Sequence, residues 1–396
     1  MNGTPRLVTT GKELESLVDA LSSEEAVALD TEFHGENRYW PDLYLVQLAG
    51  SQGPVAVDPV AIKDMSPLGT LLESPHIIKV MHSAKNDIEV LSHHLGVSFA
   101  SVFDTQLAAA FLGFERQISL ARLVNMECGV EQSKGNTLSD WSRRPLGKDQ
   151  VDYALDDVRF LLTIRRNQVR RLSKFDRLRW YEQEAESLTK SCDDDTALLK
   201  AFRKIKARSK VKRDRLALLW ALVKWREKEA MNLNRPRSFI MKDHVLGAVA
   251  ALAPVTPEGL SSLRDVTGGF MDRWGEEIVR IVRESLRSPR KKYPRMPRNN
   301  SEPGVSARKD ILRIFLKQES KRLGIAPELL VSKELLDSLA KSPPSDEEEL
   351  DSLMELSGWR KEALGYGIFA LLKGELALKI SPGKGSNGLE FVRIKD

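Results

Sequence analysis

The chain has 396 residues, which suits two or three domains, and 41% of them are hydrophobic, so it can bury a substantial core. Its two cysteines, Cys128 and Cys192, lie in no paired-ligand spacing, which argues against a disulfide framework and a cysteine-rich zinc site. No apolar run is long enough to span a membrane, and the first residues do not resemble a signal peptide, so we expect a protein of the reducing cytoplasm.

The net charge of +5 conceals two oppositely charged parts. Residues 1–195 hold 21 Lys and Arg against 30 Asp and Glu, a charge of −9, which leaves 40 against 26, or +14, for residues 196–396. An acidic part suits cation binding and a basic part suits a polyanion, although such asymmetry also arises from solvated surfaces alone.

Strand-like and helix-like segments alternate through residues 1–195, which predicts an α/β domain with a mixed sheet flanked by helices. Two of the predicted strands, Leu43–Leu48 and Val55–Val57, are separated by Gly50 and Gly53, which indicates a hairpin turn. The other strands are expected at Ala26–Asp30, Ile77–Met81 and Ser101–Phe103, and the helices at Asp87–Leu95, Asp104–Leu112 and Gln150–Val169.

Helical patterns dominate beyond residue 195, and they indicate two all-α bundles. We expect a basic connecting segment over 196–215, a first helical domain over 216–288, a linker over 289–306, a second helical domain over 307–376 and a loose tail over 377–396. The two blocks share an order of features, since a helix, a Pro and a Gly turn precede Trp274 in one and Trp359 in the other. This order favours a weak internal duplication over chance similarity.

Two carboxylates, Asp30 and Glu32, follow the apolar run of the predicted strand at Ala26–Asp30. Residues two apart on a strand share a face, so both project together, and such a pair becomes favourable when a divalent cation binds it. A solvated pair of loop acids is the alternative, because Asp-x-Glu alone occurs by chance in many chains.

Two further elements carry acids. Asp87 opens the helix after the strand Ile77–Met81, where it could also serve only as a helix cap. Tyr153 and Asp157 lie four apart in a helical stretch and so share one face, although Tyr-x-x-x-Asp is commonly structural. The three elements occur along the chain in the order strand Asp-x-Glu, strand–helix Asp and helical Tyr-x-x-x-Asp. Together and in this order they form a far more specific pattern than any one of them alone.

This arrangement resembles the DEDD exonucleases of the ribonuclease-H-like fold, in their tyrosine-containing branch, and in particular the ribonuclease D family. The match extends to Leu43–Gln47 (LYLVQ), Val102–Thr105 (VFDT), Ser139–Leu146 (SDWSRRPL) and, in the first helical block, Asn234–Phe239 (NRPRSF). That block resembles the helicase-and-ribonuclease-D C-terminal (HRDC) domain, and the second block resembles a more divergent copy. The resemblance covers about residues 5–375.

The resemblance implies a 3′→5′ exoribonuclease that uses two divalent ions, Mg²⁺ or Mn²⁺, and releases nucleoside 5′-monophosphates. It implies that Asp30 bridges the ions, that Glu32 and Asp157 complete the nucleophile-side metal, and that Asp87 supports the other metal. Tyr153 would orient the attacking water, because an ordinary tyrosine pKa of about 10 suits a positioning group better than a base. Neither His34 nor His82 is expected to bind metal.

The implied partner is RNA with a free 3′ end, with tRNA precursors as the substrate that the family suggests, and we expect a monomer without membrane attachment. The segment Lys200–Arg215 contains nine basic residues and one acid, and phosphate contact is the better interpretation beside a nuclease domain. The candidate RNA-binding residues are Lys204, Lys206, Arg208, Lys210, Lys212, Arg235, Arg237 and Lys242.

Two other functions stay open. A 3′→5′ DNA exonuclease would use the same carboxylates, because the chemistry at phosphorus is the same, and recognition of the 2′-OH would separate the two. A non-catalytic nucleic-acid-binding protein is the second alternative, but degenerate nuclease domains usually lose metal ligands and here all four acids and the tyrosine are present.

Overall fold

The computed structural model describes residues 6–132, 140–189, 194–205, 211–287, 304–353, 358–364, 367–380 and 388–394. Its packing divides the chain into two compact units, and neither is a continuous stretch of sequence. Unit 1 comprises Met1–Glu32, Tyr44–Lys190 and Pro297–Asp396, and unit 2 comprises Phe33–Leu43 and Ser191–Met296. None of the helices within the described ranges is both long and apolar enough to cross a membrane.

A six-stranded mixed sheet forms the centre of unit 1, with strand order β1-β4-β3-β2-β5-β6. Strands β2, β5 and β6 run parallel to one another, and β3 and β4 form an antiparallel hairpin that turns between Gly50 and Gly53. A positive φ of 98° at Gly53 explains the glycine there. The strands are β1 (Leu7–Val8), β2 (Ala26–His34), β3 (Asp42–Gly50), β4 (Gly53–Val57), β5 (Ile78–Met81) and β6 (Val102–Asp104).

Eight helices accompany this sheet among the described residues up to residue 189, and their ends follow local signals. Helix α1 begins with a reciprocal capping box between Thr10 and Glu13. The single helix predicted over Gln150–Val169 is wrong, because the chain breaks at Phe160 into α6 and α7. The helices are α1 (Gly11–Leu21), α2 (Ser66–Glu73), α3 (Lys85–Leu95), α4 (Thr105–Phe111), α5 (Leu120–Cys128), α6 (Lys148–Arg159), α7 (Leu161–Lys174) and α8 (Leu178–Thr189).

Unit 2 is helical apart from its short segment Phe33–Leu43, which includes the ends of β2 and β3. Its longest helix, α10, packs on α12 and α15 around a core that includes Leu219, Leu246 and Ile278. Its helices are α9 (Asp194–Lys204), α10 (Leu216–Asn232), α11 (Arg237–Ile240), α12 (Asp243–Leu252), α13 (Pro257–Ser261), α14 (Gly268–Phe270) and α15 (Glu276–Arg287), with a 3-10 turn at Arg213–Arg215 and a π-helical turn at Met271–Gly275. Most of the predicted linker lies outside the described residues.

The C-terminal block belongs to unit 1, and its apolar side chains enter the same core cluster as those of the sheet. The prediction of a loose tail is wrong in part, because β7 and β8 pair antiparallel from Leu376 opposite Arg393 to Ile380 opposite Leu389. The elements are α16 (Val305–Leu323), α17 (Pro327–Leu330), α18 (Lys333–Lys341), α19 (Glu347–Asp351), α20 (Trp359–Leu364), α21 (Gly367–Leu372), β7 (Leu376–Ile380) and β8 (Leu389–Arg393).

Candidate active site

Two acids of the candidate site stand within β2, which continues past them to His34 instead of ending at Asp30 as predicted. Asp30 and Glu32 lie two apart and therefore on one face of the strand. The buried Thr31 between them donates its hydroxyl to Asp87 Oδ1 at 2.5 Å. This hydrogen bond links the central strand to the helix that carries the third acid.

Asp87 occupies the first turn of α3 and is buried. The capping alternative for it is wrong, because Ala84 is the N-cap residue and no side chain caps that helix. The loop before α3 is instead held by Asp104, whose carboxylate accepts the backbone N–H groups of Ser83 at 3.1 Å and Ala84 at 3.0 Å. Burial raises the pKa of Asp87 to about 6, despite the hydrogen bond from Thr31.

Asp104 has a second role, since it caps α4 by accepting from the backbone of Gln106 at 2.8 Å and Leu107 at 3.2 Å. Its function in bracing the loop before Asp87 is a positioning role that sequence reasoning missed. The available signal was the segment VFDT, whose acid ends β6, the strand that runs parallel to β5.

Tyr153 and Asp157 stand one turn apart on α6, as predicted. The opposite side of α6, including Ala154 and Leu155, packs against Leu45 and Ala56 of the β3–β4 hairpin. The apolar face of the helix therefore fixes which face carries the tyrosine and the acid.

An ion pair between a partly exposed arginine and a buried acid holds the segment that leads into α6, and no pattern in the sequence indicated it. Arg144 donates Nε and Nη2 to the two carboxylate oxygens of Asp58, each at 2.7 Å. The same guanidinium donates to the carbonyl oxygens of Trp141 at 2.7 Å and Tyr44 at 2.9 Å. Because Asp58 is 2% exposed, this bidentate pair anchors the SDWSRRPL segment to the sheet.

The electrostatics show that the acids and the tyrosine form one cluster. Burial and then the charges of Asp87, Asp157 and Glu32 raise the pKa of Asp30 well above its ordinary value. Burial and the charges of Asp157 and Asp87 raise the pKa of Glu32 to about 8, and burial raises that of Asp157 to about 6. Burial and the charges of Asp157, Glu32 and Asp30 also raise the pKa of Tyr153.

This donor set suits a hard divalent cation, because it consists of carboxylate oxygens that repel one another and form no ion pair within the described residues. No group of three or more His, Cys, Asp or Glu in the described part of the chain is gathered closely enough to hold a metal ion by itself. Such a set agrees with Mg²⁺, which is usually held by one or two carboxylates together with waters and substrate phosphates.

The histidines near the acids have other partners. His82 is hydrogen-bonded through Nδ1 to the Thr105 hydroxyl at 2.9 Å and through Nε2 to the Ile118 carbonyl at 3.0 Å, and burial lowers its pKa. His34 lies 3.6 Å from Glu36 and is largely exposed.

The candidate RNA-binding residues divide into three groups. Lys206, Arg208 and Lys210 lie outside the described residues. Arg237 is paired with Glu227 through its Nε and Nη2 atoms, so its charge is largely neutralised within the protein. The exposed members are Lys204, Lys212, Arg235 and Lys242.

Comparisons with known proteins agree with this geometry. A 3′–5′ exonuclease family model matches residues 5–172, and an HRDC domain model matches residues 215–282. Ribonuclease D of Nitrobacter hamburgensis is 35% identical over 382 residues, which cover 96% of this chain and 98% of that protein. Ribonuclease D of Granulibacter bethesdensis is 35% identical over 95% of both chains.

The structural comparison gives the same result. The crystal structure of Escherichia coli RNase D, described as an exoribonuclease involved in structured RNA processing, superposes with a TM-score of 0.81 and 28% identity over 94% of this chain and 99% of that one. The fold and the acidic cluster define a 3′→5′ exonuclease joined to an HRDC domain, a fold that implies dependence on divalent metal. The chain belongs to the ribonuclease D family and is a 3′→5′ exoribonuclease.

Proposed function

We propose that the enzyme trims structured RNA from the 3′ end, with tRNA precursors as its main substrates, and that it works as a monomer with two Mg²⁺ or Mn²⁺ ions. The observation that carries this proposal is that Asp30, Glu32, Asp87 and Asp157 come together beside Tyr153, close enough for the charges of Asp87 and Asp157 to raise the pKa of both Asp30 and Glu32. The RNase D of Escherichia coli, which is involved in structured RNA processing, supports the choice of substrate.

In this proposal the four carboxylates hold the metal ions. Asp30 would serve both ions, Glu32 and Asp157 would hold the nucleophile-side ion, and Asp87 would support the other. Bound divalent ions would neutralise phosphate charge, and they would lower the pKa of a coordinated water molecule toward neutral pH.

The remaining chemistry belongs to the protein. Because burial and neighbouring acids raise the pKa of Tyr153, its phenol keeps its proton at neutral pH and can orient a water molecule by hydrogen bonding. Thr31 holds Asp87 in place through its hydroxyl, and Asp104 fixes the loop before that acid. The product of each cycle is a nucleoside 5′-monophosphate.

We make a further proposal for the second helical block, that residues 307–376 form a divergent HRDC domain in addition to the one at 216–288. Each block has a long first helix, α10 or α16, that packs on a later helix of the block, α12 or α18. In each a glycine precedes a tryptophan, but the turn predicted at Gly268 is wrong, because Gly268 begins helix α14 ahead of Trp274, whereas Gly358 takes a φ of 61° directly before Trp359.

The test of the active site is Asp30→Asn. Losing the bridging charge should abolish single-turnover cleavage of a 3′-labelled tRNA precursor while filter binding of that RNA changes little. Asp149→Asn is the matched control, because Asp149 is exposed on the same helix as Tyr153 and is not among the groups that shift the acidic cluster.

Near-parental cleavage by Asp30→Asn would contradict the proposal. Titration with Mg²⁺ and with Mn²⁺ separates the two metals. A DNA strand of the same sequence separates the RNase from a DNA exonuclease, which would degrade DNA at least as fast as RNA.

A further inference from the structure

A cavity of about 440 Å³ lies within unit 2. It is lined by the segment Phe33–Leu43, the end of α9 and the helices α10 to α12. It is unusually rich in positive charge, since its lining contains one acid, Asp243, and five basic residues, Arg38, Lys204, Arg226, Arg237 and Lys242. A concave surface with this balance attracts an anion.

Three of the five cations already have protein partners. Arg38 contacts Asp42 at 2.6 Å, Arg226 contacts Asp243 at 2.7 Å, and Arg237 is paired with Glu227. In the described part of the chain, Lys204 and Lys242 form no ion pair and both are exposed. Five cations against the three paired acids leave the charges of Lys204 and Lys242, and the charge of Lys242 also lowers the pKa of the nearby, exposed Asp265.

The cavity also contains a fixed guanidinium. The side chain of Arg226 is 4% exposed, and its Nη1 donates to Met241 O at 2.9 Å and to Asp243 Oδ1 at 2.7 Å. Its Nε is buried with no hydrogen-bond partner among the described residues, so the group has unused donor capacity. A guanidinium held in this way loses little conformational entropy when an anion binds near it.

The opposite wall is formed by Phe33–Leu43, a segment that lies within the part of the sequence matched by the exonuclease family model. Asn234 Oδ1 accepts the backbone N–H groups of Tyr39 at 3.1 Å and Trp40 at 2.9 Å, and the Tyr39 hydroxyl donates to Glu227. The guanidinium of Arg237 lies 5.0 Å from the Tyr39 ring centroid. Arg237 therefore helps to build the wall, and its role as a direct RNA contact stays a prediction.

An exposed aromatic side chain stands on the helix that lines the cavity. Phe239 lies on α11, two residues after Arg237, and is 61% exposed. Proteins that bind single-stranded nucleic acid combine a cationic groove with exposed aromatic rings that stack on bases. The same combination is present here.

We propose that this cavity binds a backbone phosphate of the RNA being degraded, with Lys204 and Lys242 as its contacts and Arg226 as its fixed base. This inference rests on the proposed function, because it takes RNA as the substrate.

The test uses the full-length enzyme with Lys204→Gln and Lys242→Gln combined. The matched control combines Lys224→Gln and Lys228→Gln, which removes the same charge from exposed lysines of the same unit that do not line the cavity. The dissociation constant for a single-stranded RNA is measured in EDTA over a range of salt concentrations. Cleavage of that RNA and of a p-nitrophenyl ester of a nucleoside 5′-phosphate is measured with Mg²⁺.

Each neutralised phosphate of a single strand contributes about 0.7 to the slope of log K against log salt, so the cavity variant, which leaves one phosphate without its contacts, should lose about 0.7. At about 0.15 M salt this corresponds to roughly fourfold weaker binding. The small ester has only one phosphate, which the active site uses, so its cleavage should be unchanged. The control should keep a steeper slope than the cavity variant.

Equal slopes and affinities for the cavity variant and the control would overturn the inference, and so would a loss of ester cleavage confined to the cavity variant. Either result would leave the proposed function intact as long as the parent enzyme degrades RNA from the 3′ end. If the parent enzyme degrades no RNA, the proposed function itself is wrong and the inference fails with it.

Discussion

Replacing Trp359 with alanine should weaken the nuclease part of unit 1, although Trp359 lies in the C-terminal block. Its side chain is 2% exposed and its ring centroid lies 5.0 Å from that of Phe111 and 5.7 Å from that of Trp180. The indole Nε1 donates to Glu184 at 3.1 Å, and the backbone N–H donates to Gln183 at 2.9 Å. The residue therefore joins α20 to α8 and α4.

The expected cost follows from this burial. Removing a fully buried Trp side chain lowers the free energy of unfolding by about 3–5 kcal/mol, through lost apolar contact and the cavity left behind. A folded domain has only about 5–15 kcal/mol in total. Since 1 kcal/mol shifts the melting temperature of a domain of this size by about 2–4 °C, the shift should be roughly 6–20 °C.

Hydrogen exchange read by mass spectrometry locates the effect. Trp359→Ala should lower protection in β2 and β5 and leave α10 and α12 at parental values. Trp274→Ala is the matched comparison, because the Trp274 indole packs in unit 2 and donates to Glu229 at 3.0 Å, so its loss should deprotect α10 instead. Parental melting and parental protection of β2 in the Trp359→Ala protein would refute a shared core.

Tyr153→Phe should slow cleavage without changing the Mg²⁺ concentration that gives half-maximal rate, because it removes only the hydroxyl; a variant as fast as the parent would make Tyr153 structural. Arg144→Met should lower the free energy of unfolding by about 3–5 kcal/mol, since it leaves the buried Asp58 charge without its partner; denaturant unfolding at the parental midpoint would contradict this. Burial lowers the pKa of Lys79 to about 8, from 10.5 in the unfolded chain. Between these pH values only the unfolded chain binds the proton at Lys79. The free energy of unfolding of the parent, relative to that of Lys79→Met, should therefore rise from about pH 8 to about pH 10.5. Parallel pH profiles for the two proteins would exclude a lowered pKa of Lys79 in the folded chain.

The sequence alone determined the chemistry of the nuclease site. Asp30 and Glu32 share a strand face because the strand period is two, and Tyr153 and Asp157 share a helix face because four residues are close to one turn. These periods hold whatever the tertiary arrangement. The glycines at the β3–β4 turn and the capping role of Asp104 were likewise predictable, because both are local requirements of the backbone.

Packing decided what no local pattern specifies. The apolar face of an amphipathic helix indicates that this face is buried but does not indicate which element packs on it. The sequence therefore predicted two helical bundles, whereas Trp359 and the other apolar side chains of the C-terminal block pack in the same core cluster as the nuclease sheet. The anchoring of Asp58 by Arg144 joins residues distant along the chain, and its charges could equally have been solvated. For the same reason the sequence did not show that Arg237 is a partner of Glu227 and Tyr39, whereas Lys204 and Lys242 of the same cavity form no ion pair among the described residues.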